Sequence, residues 1–268
     1  MDALIFLLPA FVLSALLIMT HVYLGLHVLA RGIIFVDIAL AQVAAFGASV
    51  AFLLGENVHG PSGQVFSFAF TLIAAFGFAQ LRRIPDKTAR EVIIGCVYVV
   101  TTALSIVVLS RSVAGMEELK TLFNGSMLWV RWGDIVLLAV LYGVIGIILG
   151  WAHGRFRRLS ASADFAPPQA FVWECLFFAC FAVVITSAVH LAGILVVFAF
   201  LIIPAFSASM LAVSWGARLI AGWVLGGAGS MAGLLLAYAA DLPVGATVVA
   251  VLGILPVLTG IVRSFRKA

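Results

Sequence analysis

About nine apolar runs follow one another along this chain with only short polar segments between them, and that pattern leaves few ways to fold. A helix crossing ~30 Å of hydrocarbon needs ~20 predominantly apolar residues. The runs are Leu4–Ala30, Ile33–Gly55, Val65–Leu81, Val92–Ser110, Ile135–Ala152, Phe171–Val189, Leu191 to about Ile203, Leu219–Ala240 and Val244–Val262. No polar stretch is long enough to fold as a water-soluble unit. The sequence therefore predicts an all-α integral membrane protein of eight or nine spans, with residues 1–268 forming a single transmembrane domain. Residues are 65% hydrophobic and 10% charged, where soluble domains carry about 25% charged residues.

The excess of 15 Lys and Arg over 11 Asp and Glu would point to nucleic acid in a soluble protein. Here the basic residues sit between apolar runs, where they act as topology signals held on the cytoplasmic side. Arg31, the Arg82–Arg90 segment, the Arg155–Arg158 loop, Arg218 and the tail Arg263, Arg266, Lys267 all fall on one side of a nine-span count. The Glu56–Gln64 turn and Asp241 fall on the other. This places the C-terminus in the cytoplasm and the N-terminus outside. Asp2 stands where a secretory signal would carry a basic residue, so the first run is expected to be retained. Arg111–Gly133, with Glu117, Glu118, Lys120, Trp129 and Trp132, reads as an interfacial helix. Cys96, Cys175 and Cys180 lack CxxC spacing and read as small core residues. Two glycine series, Gly143, Gly146, Gly150 and Gly222, Gly226, Gly229, Gly233, suit close helix packing.

No GxxxxGK[ST] phosphate loop occurs, so the chain does not itself hydrolyse ATP. HExxH and GxSxG are absent, as is any acid cluster spaced for acid–base work, and enzymatic chemistry has no support. Ionisable residues inside hydrocarbon are costly and are functional candidates by default. Here they are His21, His27, Asp37, Glu174 and His190. Asp37 and Gln42 lie five residues apart and border a helix surface about 140° wide, where both offer oxygen to a cation. The structural alternative pairs Asp37 with Arg31 or sends it to the headgroups. His21 and His27 are candidate nitrogen ligands or satisfied core histidines. His190 meets arriving substrate or faces water at a helix end, and Glu174 reads as structural.

The run RGIIFVDIALAQVAAFG from Arg31 resembles the signature stretch of the permease subunits of zinc, manganese and iron ABC importers. LAGILVVFAFLIIPAFSASMLA from Leu191 resembles their apolar helix ending at a proline, and DLPVGATVVAVLG from Asp241 their last hairpin. Order and spacing agree over nearly the whole chain. The resemblance implies a permease fold of the metal-chelate and vitamin B12 importer type in a bacterial inner membrane. It further implies a homodimer around a central path, two cytoplasmic ATPase subunits consuming ATP, and an extracytoplasmic binding protein delivering a divalent metal. No cofactor resident in this chain is expected.

The same resemblance makes Pro204–Arg218, with Ser207 and Ser209, a cytoplasmic helix docking on the ATPase. A kink at Pro204 within one longer helix, Leu191–Val213, is the alternative. Relatives often carry an arginine after the proline where this chain has Ser209. Many also carry Gly-Asp-Ala-Leu-Ser-His where this chain has Asp37, Ile38, Ala39, Leu40, Ala41, Gln42. Their carboxylate position is Ile38 and their histidine position Gln42, so the acid is rotated by about 100° around the helix. Losing an imidazole while keeping oxygens favours manganese or iron over zinc, unless His21 or His27 restores nitrogen. The metal stays open. Two rival readings are a proton-driven secondary transporter and a membrane scaffold that does not transport.

Overall fold

In lipid every backbone N–H and C=O must be satisfied within the chain, and a long apolar run meets that demand as a helix. The computed structural model of the chain describes residues 2–57, 60–110, 115, 117, 125, 127–161 and 170–265, with side chains from Phe6 onward. Its helices are α1 (Asp2–Arg31), α2 (Val36–Leu53), α3 (Pro61–Gln80), α4 (Lys87–Leu109), α5 (Trp132–Ala161), α6 (Ala170–Ala192), α7 (Ile194–Leu211), α8 (Trp215–Ala239), α9 (Val244–Gly253) and α10 (Leu255–Phe265). Short 3₁₀ turns occur at Leu81–Arg83 and Met127–Trp129, and no strand occurs among the described residues. Nine segments among those residues are long and apolar enough to cross a membrane, with α9 and α10 together forming the last, Val244–Phe265. Pro256 explains the break between those two, since a proline near a helix start lacks the N–H that would continue the preceding turns.

Several boundaries differ from hydropathy. Helix α3 starts at Pro61 rather than Val65, with proline in its favoured first position, and α5 continues past Ala152 through Arg155, Arg157 and Arg158. Lys87 and Arg90 likewise lie in the first turn of α4, which Asp86 caps by accepting from the Thr88 N–H at 2.9 Å. Helices simply extend beyond the hydrocarbon, where polar residues cost nothing. Of the expected interfacial helix, the described part contains the Met127–Trp129 turn and exposed Trp129 and Trp132. Glu118, Lys120, Pro167, Pro168, Arg266 and Lys267 lie outside the described residues.

The chain packs as two compact units, each assembled from separated stretches. The first comprises residues 1–29, 124–144 and 191–268. Its core is a backbone-to-backbone meeting of α1, α7 and α8. A Cβ on Gly25 would overlap the Leu201 carbonyl oxygen, and one on Gly222 would sit 2.5 Å from Val22 Cγ1. One on Gly226 would lie 2.9 Å from Ile18 Cγ2 and 3.1 Å from Pro204 Cγ. Gly229 and Gly233 receive Leu252 and Val248 from α9 in the same way. The second glycine series is thus used for packing, whereas a Cβ on Gly143, Gly146 or Gly150 would meet nothing within 4 Å, so the first series does no packing among the described residues.

The second unit comprises residues 30–123 and 145–190. Helix α2 is its interior element, 72% buried against 17% for α4. Its alanines, together with Gly47 set against the Phe66 carbonyl, let α3 approach closely. At one end of this unit the Glu174 carboxylate receives Arg31 Nη1 on one oxygen and Arg82 Nη1, at 2.7 Å, on the other. Arg31 Nε also donates to Ser160 Oγ at 3.0 Å, and its guanidinium lies 4.0 Å from the Phe177 ring centre. This carboxylate therefore ties the ends of α1, α3 and α6 together, and Arg31 adds α5 through Ser160. Arg31 and Arg82, which meet here, are among the basic residues that the span count puts on one side.

Two stability outcomes follow from these contacts. Gly25→Ala forces backbone apart and should cost about 1–3 kcal/mol, whereas Gly146→Ala, with open space around it, should stay within about 0.5 kcal/mol; thermal unfolding of the purified protein in detergent distinguishes them. Glu174→Ala leaves the buried Arg31 charge uncompensated and should destabilise by about 3–5 kcal/mol in the same assay.

Candidate functional site

Asp37 lies in the first turn of α2, because the helix begins at Val36, after the turn that follows Gly32, rather than at Ile33 where the apolar run starts. The positive φ of Gly32, 67°, ends α1. A carboxylate in a first turn is favoured by the helix dipole. Asp37 is nevertheless only 1% exposed, and Arg31 turns to Glu174 instead of to it. Asp37 Oδ1 accepts the Ile38 N–H at 2.6 Å, while Oδ2 has no hydrogen-bond partner among the described residues. A buried carboxylate oxygen in that state calls for a proton or a cation.

Gln42 is equally buried, one and a half turns further along α2, and its Nε2 is also unpartnered among the described residues. Ile38, the next residue after Asp37, is part-exposed and faces elsewhere. With Phe35 it lines an apolar groove of about 640 Å³ against Val92, Gly95, Cys96, Tyr98, Val99 and Val100 of α4. Along α2 the charge of Asp37 is thus in the interior of the second unit, while the next residue, Ile38, lines the groove. Cys96, expected to be a core residue, is exposed on this groove, while Cys175 is half-buried and Cys180 buried. Hydropathy could not have separated the three, because all lie in apolar runs. His190 belongs to the same unit, in the last turn of α6, where it is half-buried.

The other two histidines belong to the first unit. His21 is fully buried, with Nδ1 2.7 Å from the Leu17 carbonyl oxygen. A carbonyl only accepts, so Nδ1 carries the proton and Nε2 holds a lone pair, which has no partner among the described residues. A metal-ligating histidine is oriented in this manner. His27 is packed between rings, 4.8 Å from Tyr23 and 4.6 Å from Trp215, and joins α1 to the start of α8. Its environment is that of a core histidine. Among the described residues no three His, Cys, Asp or Glu side chains converge on one point.

The segment expected to dock on a partner takes a different form. Helix α7 runs unbroken from Ile194 to Leu211 with Pro204 inside it, so no separate helix begins at the proline. Pro204 and Ser207 are buried, and Pro204 packs against Gly226. Packing on both sides holds the helix through the residue that would otherwise break it. Ser209 Oγ bonds back to the Ala205 carbonyl at 2.8 Å. The chain leaves the helix at Ala212, Ser214 caps α8 through the Ala217 N–H, and Arg218 Nε donates to the Ala212 carbonyl at 3.0 Å. The tight turn from Ala212 to Ser214, with Val213 exposed at its tip, is the feature presented there.

Comparison with known proteins comes to the same architecture. The chain is 25% identical over 236 residues to the manganese transport system membrane protein MntC of Listeria monocytogenes, covering 85% of this chain and 80% of that one. It is 22% identical over 237 residues to a Chlamydia trachomatis protein named "Probable metal transport system membrane protein", covering 86% and 80%. Among solved structures, PsaBC of Streptococcus pneumoniae in complex with Fab superposes with a TM-score of 0.77 at 19% identity, over 96% of this chain and 93% of that one. The model of the ABC 3 transport family matches residues 3–263, and the chain belongs to that family of multi-pass ABC transporter membrane proteins.

Proposed function

We propose that the chain is the membrane-spanning permease subunit of an ABC importer for a divalent metal ion, acting as two copies around a translocation path. The observation that carries this reading is the family match over residues 3–263 together with the relatives named for metal and manganese transport. In this reading ATP hydrolysis belongs to a separate pair of ATPase subunits on the cytoplasmic face, in keeping with the missing phosphate loop. An extracytoplasmic binding protein supplies the ion on the other face, and the basic helix ends around Glu174 lie in the cytoplasm of a bacterial inner membrane.

Asp37 is the residue proposed to meet the ion. Its unpartnered Oδ2 gives a hard oxygen ligand whose burial cost a passing cation would relieve. With Gln42 as the neighbouring oxygen donor the chemistry favours manganese over zinc. His21, with its free Nε2, is a second and separate ligand candidate; His27 and His190 are weaker ones. The Ala212–Ser214 turn, with Arg218 braced beneath it, is the proposed contact for the ATPase, replacing a separate helix at Pro204.

The test is the zinc, manganese and iron content of metal-starved cells lacking this chain, measured by elemental mass spectrometry. The unaltered chain should restore one metal, manganese first. Asp37→Asn, at equal membrane levels, should reduce that recovery by about tenfold or more, roughly 1.4 kcal/mol of lost stabilisation along the path. Recovery should also vanish when the ATPase is absent. Unchanged content of all three metals, or uptake that ignores the ATPase and stops with an uncoupler, would overturn the proposal.

A further inference from the structure

The same helix ends that Glu174 ties together enclose a cleft of about 110 Å³ within the second unit. Four cations line it, Arg31, Arg82, Lys87 and Arg90, against the single carboxylate of Glu174. Glu174 already has a guanidinium on each oxygen. The nearby acids are engaged elsewhere. Asp86 caps α4 through the Thr88 N–H, and Glu91 accepts from the Phe35 N–H at 3.4 Å; neither lines the cleft. Positive charge therefore exceeds negative here, although like charges brought together at the mouth of a membrane protein repel one another and lower stability.

The arrangement is a built one. Arg31 is 9% exposed and fixed by Glu174, Ser160 and Phe177, so its position is set before any ligand arrives. Arg90 is held over the preceding loop, donating from Nε to the Ile84 carbonyl at 2.7 Å and from Nη2 to that of Pro85 at 3.2 Å. Lys87 lies across Gly32 and makes no hydrogen bond or ion pair among the described residues. The N-terminus of the 23-residue helix α4, whose first turn carries Lys87 and Arg90, adds its own positive end.

The cleft walls decide the kind of anion. Phe78, Ile94 and Phe178 line it beside the cations, and further along the apolar helices α3 and α4 Ile73, Phe76 and Val92 are exposed. A phosphate with an attached apolar tail satisfies both surfaces at once; a free anion satisfies only the first. Basic pockets between membrane helices at headgroup level are suited to such ligands. We propose that this cleft binds the phosphate of an anionic phospholipid from the leaflet that these helix ends face.

The experiment uses the full chain, purified and stripped of lipid in detergent, with bound lipid counted by native mass spectrometry. Phosphatidylglycerol and phosphatidylcholine are offered separately, and inorganic phosphate is added as competitor at millimolar concentration. Phosphatidylglycerol should be retained severalfold more than phosphatidylcholine. Lys87→Gln alone should reduce the difference, and Lys87→Gln with Arg90→Gln should abolish it, with α-helical content unchanged by circular dichroism. Equal retention of the two lipids by the unaltered chain overturns the proposal, as does unchanged phosphatidylglycerol retention in the double variant. Full displacement by inorganic phosphate would make the cleft a free-anion site and overturn the lipid assignment. Loss of ATPase co-purification in the double variant with lipid retention intact would assign the cations to a protein partner instead.

Discussion

A single buried carboxylate, Glu174, anchors a polar network at the ends of four helices drawn from a stretch that reaches back 143 residues to Arg31. Arg31 closes α1 and Arg82 follows α3, both pairing with Glu174 near the start of α6, and Arg31 also donates to Ser160 in the last turn of α5. A buried ion pair contributes little net stability against a well-packed apolar alternative, because desolvation offsets most of the attraction. What it provides is uniqueness. An apolar helix slides or rotates in lipid at small cost, whereas a buried guanidinium separated from its carboxylate costs several kcal/mol. The network fixes these helix ends, and α2, packed against α3 and α4 in the same unit, holds Asp37 in its interior.

The first unit solves the same problem without charge. Lipid offers no hydrophobic incentive for helices to associate, so close contact must come from small residues. Gly25, Gly222 and Gly226 bring α1, α7 and α8 into backbone contact, and Pro204 fills the space that the last two leave. This explains why α7 continues through its proline: the missing hydrogen bond costs less than opening that contact would. The Gly143 series shows that spacing alone does not identify a packing face, since those glycines meet nothing among the described residues.

Span number and order were legible because they rest on length and hydropathy, quantities the bilayer thickness dictates. Helix ends were not, because Lys87, Arg90 and Arg155–Arg158 continue helices into water where hydropathy has lost its signal. Asp37 and Gln42 were legible as buried polar residues; the first-turn placement of Asp37 was not, since it depends on the glycine turn at Gly32. Glu174 read as structural, and the contacts agree, but its two partners come from distant segments that only the sidedness of the basic residues hinted at. The Ile38 groove escaped notice because nothing in an apolar run marks which of its residues face a cleft.

The proposed role of Asp37 rests on a carboxylate that is buried with one oxygen unpartnered among the described residues. The most direct measurement is entry of radioactive manganese into proteoliposomes containing this chain with its ATPase, given binding protein outside and ATP within. Accumulation should depend on ATP and persist when the membrane potential and proton gradient are collapsed. Accumulation without ATP, or none for manganese, zinc or iron in an assembly that hydrolyses ATP, would contradict the proposed import.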